Sequence, residues 1–134
     1  MLKRYAAFFL FLSFTLTVNS QSGDTDHWEM LVNSSDTFNY LTSNDDEADH
    51  AWRSPEFDDA SWHSGPGGIG YGDDDDATVI EPCISVFMRR TFNIEDKSVL
   101  TEGYFYIDYD DAFAAYINGV EIARSAGLTE AYPT

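Results

Sequence analysis

Apolar and polar positions alternate most clearly between Tyr104 and Arg124, YFYIDYDDAFAAYINGVEIAR. Tyr104–Tyr109 is an aromatic, extended run. Asp110-Asp111 breaks it, because aspartate tolerates turn conformations and caps its own backbone. Ala112–Ile117 runs back, and Asn118-Gly119 turns the chain into Val120–Arg124. Asn-Gly between alternating apolar residues predicts a two-residue type I′ hairpin, since both central positions need positive φ. That loop sets Ile117 opposite Val120, Ala115 opposite Ile122 and Phe113 opposite Arg124. Phe113, Ala115, Ile117, Val120 and Ile122 then share one apolar, core-facing side. The stretch predicts a three-strand antiparallel meander and an all-β class.

The remaining pattern is more broken. His27–Val32 reads as a first strand. Asn33–Asp49 is polar and reads as a long loop anchored by Phe38, Tyr40 and Leu41. Pro55 excludes a central strand across Trp52–Trp62, since proline donates nothing to a ladder. Phe57–Trp62, FDDASW, predicts a short turn with both aromatic ends packed inward. Gly65–Gly72, GPGGIGYG, predicts a tight irregular loop. It is no phosphate loop, for no Lys-Ser/Thr follows it. Ala77–Ile80 reads as a short strand, Ser85–Ile94 as a longer one, and Glu95–Thr101 as a polar connection.

Residues 1–20 have the order of a secretory signal peptide. Lys3 and Arg4 precede the apolar run Ala6–Leu16, and the small Ser20 stands before Gln21. The run is short of the ~20 residues a membrane span needs. Residues 21–26 then form a linker, and 27–134 the domain. The chain is expected to be secreted or at the cell surface, with no membrane insertion after cleavage.

Composition narrows the partners. The chain has 24 acidic and 7 basic residues, a net charge of −17. Without the leader, 24 acidic stand against 5 basic residues. Nucleic acid is disfavoured, because binding it requires clustered Lys and Arg. A cation or a neutral polar ligand such as sugar is compatible, and high net charge also serves solubility. Aromatics make up 16% of the chain, enough to supply a core and to argue against disorder. The single cysteine, Cys83, excludes an internal disulfide and reads as a small buried residue.

Four elements occur in order: Phe57–Trp62, Gly65–Asp73, the strand ending Met88-Arg89-Arg90-Thr91-Phe92, and Asp108–Arg124 with its Asn-Gly turn. Together they resemble the galactose-binding-like jelly-roll β-sandwich. Such modules stand at the N-terminus of family-two-type glycoside hydrolases. They also occur in secreted bacterial multidomain proteins, beside spore-coat-kinase-like or lamin-tail-type domains. The likeness spans His27–Arg124. It implies an antiparallel β-sandwich, C-terminally truncated here because the family pattern continues for several strands beyond the hairpin. It implies a secreted, non-catalytic accessory module that binds carbohydrate. Two alternatives stay open: a structural spacer without ligand, packed on a downstream domain of the same chain, and the N-terminal fragment of a secreted enzyme such as a glycoside hydrolase.

Sugar recognition needs a flat aromatic face for the apolar side of a pyranose and fixed polar groups for its hydroxyls. Trp52, Tyr71, Tyr116 and Arg124 are the candidate ligand residues. In the family pattern Trp62 and Tyr71 also serve as core or loop anchors; Trp52, in a polar loop, is expected to be the more exposed. Asp73, Asp74, Asp75 and Asp76 could hold a structural calcium, which takes six to eight oxygens, or could form a solvated acidic loop. Asp110 and Asp111 cannot act as a glycosidase pair, since adjacent turn residues do not face each other across a substrate. No catalytic residue is expected in this region.

Overall fold

A computed structural model describes residues 4–16, 25–45, 50–72, 74–100 and 102–128. Among the described residues ten strands occur in chain order: β1 (Arg4–Leu16), β2 (Thr25–Val32), β3 (Thr37–Thr42), β4 (His63–Pro66), β5 (Ile69–Tyr71), β6 (Thr78–Val79), β7 (Val86–Arg89), β8 (Glu102–Tyr109), β9 (Ala114–Ile117) and β10 (Val120–Arg124). Two short 3-10 turns, His50–Arg53 and Lys97–Val99, are the only helical segments among the described residues. The protein is all-β, and its described residues form three small and mostly antiparallel sheets. Among the described residues no helix is long and apolar enough to cross a membrane.

The largest sheet is arranged around β1, which pairs antiparallel with β2, β5 and β8. On β8 the exposed residues Glu102, Tyr104, Tyr106 and Asp108 alternate with the half-buried Phe105 and Ile107, as a sheet with one wet face requires. On β2 the register jumps from Phe11↔Met30 to Leu10↔Val32. Leu31 is the extra residue of a bulge, which turns the end of the strand toward the interior. Val32 is accordingly buried, with Leu31 partly buried beside it.

A second sheet runs β4-β3-β7 and contributes to the same core. Phe38 of β3 sits with Val32 and Ile69 at the centre of the core, and Tyr40, Val86, Met88, Phe105 and Ile117 pack around them. β3 lies inside the stretch read as a long polar loop. Its six residues are largely polar, yet Phe38 and Thr42 are buried, because β4 and β7 flank it on both sides. The glycine-rich stretch also departs from a plain loop, forming β4 and β5. Its glycines permit close approach: a Cβ at Gly67 would lie 1.9 Å from the Ser34 carbonyl oxygen. β7 ends at Arg89 rather than Ile94. Arg90 is drawn aside by Asp36, at 3.1 Å, and donates to the Thr37 carbonyl at 2.6 Å.

The third sheet is the hairpin β9-β10. Asn118 (φ 49°) and Gly119 (φ 80°) form the expected left-handed turn, and Ile117 pairs with Val120. Beyond Glu121 a bulge shifts the register, so Ala115 pairs with Ala123 and Ala114 with Arg124. The expected Ala115–Ile122 and Phe113–Arg124 pairs are therefore not formed. Ala115 is buried and Ile117 packs on the core, whereas Val120 and Ile122 are exposed. Nor do β8 and β9 pair as a meander: Asp111 (φ 66°) redirects the chain, and β8 pairs with β1. Contact between them passes through Phe113, whose ring centroid lies 4.6 Å from Tyr109 and 6.0 Å from Phe105.

Candidate ligand-binding surface

Two aromatic groupings stand out, and the first contains three of the residues nominated from sequence. Trp52 lies in the 3-10 turn and meets Tyr116 of β9 edge-on at 5.7 Å and Phe87 of β7 at 5.5 Å. The Arg53 guanidinium lies 5.0 Å over the Tyr116 ring. Arg124 makes a two-pronged ion pair with Glu121 and donates to the Leu128 carbonyl. The Arg124 hydrogen bonds hold the Glu121 carboxyl below its usual pKa, and Glu121 raises that of Arg124 in return. Trp52 is half-buried rather than exposed, and Arg53 covers one face of Tyr116. The grouping is a packed corner with a charged rim.

The loop carrying Trp52 is fixed by Arg89 of β7. Its guanidinium donates to Asp59 Oδ2 at 2.8 Å and to the carbonyls of Trp52, Ser54 and Phe57. It also lies 5.1 Å from the Phe57 ring centroid, and Phe57 packs edge-on against Trp62 at 5.6 Å. The inward turn expected at Phe57–Trp62 is thus assembled around a single cation.

Tyr71 lies apart from this corner, on β5. Its hydroxyl donates to the Cys83 carbonyl at 3.2 Å, which ties β5 to the loop before β7. In the acidic run, Asp73 lies outside the described residues. Asp74 (φ 66°) and Asp75 are exposed, and Asp76 is half-buried. Among the described residues no three His, Cys, Asp or Glu side chains converge in a group that could hold a metal ion.

The second grouping was not singled out from sequence. Trp28 of β2 is 55% exposed, Tyr104 and Tyr106 of β8 are 42% and 56% exposed, and all three stand on the outward face of the large sheet. Trp28 and Tyr104 have centroids 5.1 Å apart, while Tyr104 and Tyr106 stack at 6.4 Å with 26° between their planes. The Tyr104 hydroxyl donates to Glu102 at 3.3 Å, and the Glu102 charge raises the phenol's pKa. Tyr104 and Tyr106 lie in the run read from sequence as aromatic and extended, and the two-residue period of a strand puts them on one face. Trp28 joins them only because β1 separates β2 from β8 by one strand, a non-local arrangement.

A polar pair lies elsewhere. Asp45 accepts from the Thr42 hydroxyl at 2.6 Å and amide at 2.9 Å, and stands 3.0 Å from His63 Nε2. The Thr42 hydroxyl first, and His63 next, hold the Asp45 pKa down to about 2. The Thr42 hydroxyl is directed at Asp45 rather than at the imidazole, so this is a turn lock and no nucleophile–base pair.

Comparison with protein-family profiles, with curated proteins and with solved structures returned no match.

Proposed function

We propose that the protein is a non-catalytic carbohydrate-binding module of a secreted or cell-surface protein, and that its three sheets belong to a galactose-binding-like jelly-roll sandwich. The observation that carries the reading is the outward face formed by Trp28, Tyr104 and Tyr106, which β1 holds together, so the reading requires Arg4–Leu16 to stay in the folded protein. Exposed aromatic rings at this density on one sheet face mark a binding surface. Stacked rings suit the C–H faces of sugar rings, and Glu102 with the tyrosine hydroxyls supplies acceptors and donors for sugar hydroxyls. The acidic balance of the chain suits a neutral or cationic ligand over a polyanion. The reading assigns the region no catalytic step.

The test is titration with neutral soluble polysaccharides, read as the fluorescence difference between the native protein and Trp28→Ala. Saturable quenching is expected in the native protein, with affinity about tenfold weaker in Tyr106→Ala, equivalent to about 1.4 kcal/mol. Val120 and Ile122, exposed on β10, favour a second reading, a spacer packed on a neighbouring domain. A folded protein that no polysaccharide quenches supports that second reading against the first.

A further inference from the structure

The outward aromatic face has a charged border. Glu102 and Asp108 stand on the same strand and the same exposed side as Tyr104 and Tyr106, one beyond each end of the tyrosine pair. Ser13 of β1 pairs with both Trp28 and Glu102, and Phe11 pairs with both Met30 and Tyr104. These rows set Trp28 level with Glu102, and the exposed Met30 level with Tyr104. An apolar platform of Trp28, Met30, Tyr104 and Tyr106 is therefore bordered by two carboxylates. Neither carboxylate makes an ion pair with a described residue, whereas Asp36, Asp59 and Glu121 are all paired with arginines. The sequences of β2 and β8 contain no Lys or Arg. The charge at this face is uncompensated, and the net charge of −17 reinforces it.

We infer that this face selects amino sugars with a free, protonated amine, the chemistry of a glucosamine-type polysaccharide. The inference rests on the carbohydrate reading above, and with it on Arg4–Leu16 staying in place, and adds the charge of the sugar. A hexosamine carries an apolar C–H face and an ammonium group on one ring. The C–H face lies on the aromatic platform, and the ammonium reaches Glu102 or Asp108. The Glu102 carboxylate accepts from the Tyr104 hydroxyl at 3.3 Å, so carboxylate and ring attract a cation at the same place. N-acetylation of the amine removes the charge and leaves the C–H face. A lysine-rich peptide has the charge and lacks a flat face to lie on the rings.

The test is calorimetric titration of the full chain, residues 1–134, with a β-linked glucosamine oligomer, the same oligomer N-acetylated, and a lysine oligomer of equal charge. It is run at about pH 5.5, above the ordinary carboxylate range, where an amine is protonated. The glucosamine oligomer is expected to bind at least about tenfold tighter than its N-acetylated form at low salt, with the advantage shrinking between about 0.05 and about 0.5 M salt. Glu102→Gln with Asp108→Asn should abolish that advantage and leave binding of the N-acetylated oligomer unchanged. Asp74→Asn with Asp75→Asn, which removes the same charge from the exposed acidic loop, should retain it. Equal affinity for the two sugar oligomers overturns the inference and leaves the carbohydrate reading standing. An advantage that survives Glu102→Gln with Asp108→Asn overturns it as attraction to the net charge alone. A lysine oligomer bound as tightly as the glucosamine oligomer overturns it in favour of a basic peptide. Binding of neither sugar oligomer overturns the carbohydrate reading together with it.

Discussion

Replacing Arg89 by methionine keeps the aliphatic stem and deletes the cation that holds the Trp52–Asp59 loop. The Arg89 side chain is 13% exposed and that of Asp59 26%, so the pair lies between the buried and surface regimes. Removing one partner of a buried pair costs about 3–5 kcal/mol, and an exposed pair is worth under about 1 kcal/mol. The variant also removes the Arg89 hydrogen bonds to the carbonyls of Trp52, Ser54 and Phe57, of which Ser54 keeps the Phe57 amide at 3.2 Å. Together these give an expected loss of about 2–4 kcal/mol. At an m-value of about 2 kcal/mol per M, the urea midpoint falls by about 1–2 M. Arg89→Lys is expected to recover only part of this, because an ammonium cannot span the fork that the planar guanidinium fills. The assay is urea unfolding followed by near-UV circular dichroism, which also reports the packing of Trp52 and Trp62. A midpoint within about 0.2 M of the native value, with the aromatic signal unchanged, would refute the role given to Arg89.

Further outcomes follow from the same structure. Asp45 has its folded pKa depressed from 3.8 to about 2, so its contribution is present above pH 3.8 and is lost as pH falls through about 2. Asp45→Asn should flatten the acid limb of the stability curve in that window, measured by urea midpoints at successive pH values. An unchanged limb would show that the Thr42 and His63 contacts do not persist in solution. Gly119→Ala places a side chain at φ 80° and should cost about 1–2 kcal/mol, read as a lowered melting midpoint. Glu102→Gln should lower the pKa of Tyr104 toward that of an ordinary tyrosine, seen as an earlier phenolate step in ultraviolet titration.

The features legible in the sequence are those fixed by neighbours in the chain. Asn118-Gly119 specifies its turn through backbone conformation alone, and the Ile117–Val120 pair follows from it. The aromatic, extended run Tyr104–Tyr109 gives the strand. The bulge after Glu121 was not legible: it depends on how the hairpin meets the core, and it moves Ile122 from the expected apolar face to solvent. β3 was hidden because Thr-Phe-Asn-Tyr-Leu-Thr is polar enough for a loop, and only its two flanking strands make it a ladder. The glycines of Gly65–Gly72 predict a tight irregular loop, whereas they answer crowding beside short strands, with Gly65 and Gly67 pressed against Thr78 and Ser34.

The candidate site divides the same way. Trp52, Tyr116 and Arg124 do gather at one corner, but packing uses the Trp52 edge and one face of Tyr116. Tyr71 is engaged with the Cys83 carbonyl. The outward face went unnoticed because Trp28 lies far from Tyr104 in sequence and reaches it across another strand. Alternation can assign a residue to a face but cannot name its neighbours two strands away.

The most direct measurement is affinity electrophoresis of the native protein, Trp28→Ala and Trp52→Ala through gels containing neutral polysaccharides, with a polysaccharide-free gel as reference. Binding on the outward sheet face predicts that at least one polysaccharide retards the native protein and Trp52→Ala alike, while folded Trp28→Ala migrates freely. Retardation of Trp28→Ala equal to the native protein, or native migration unaffected by every polysaccharide, would contradict it.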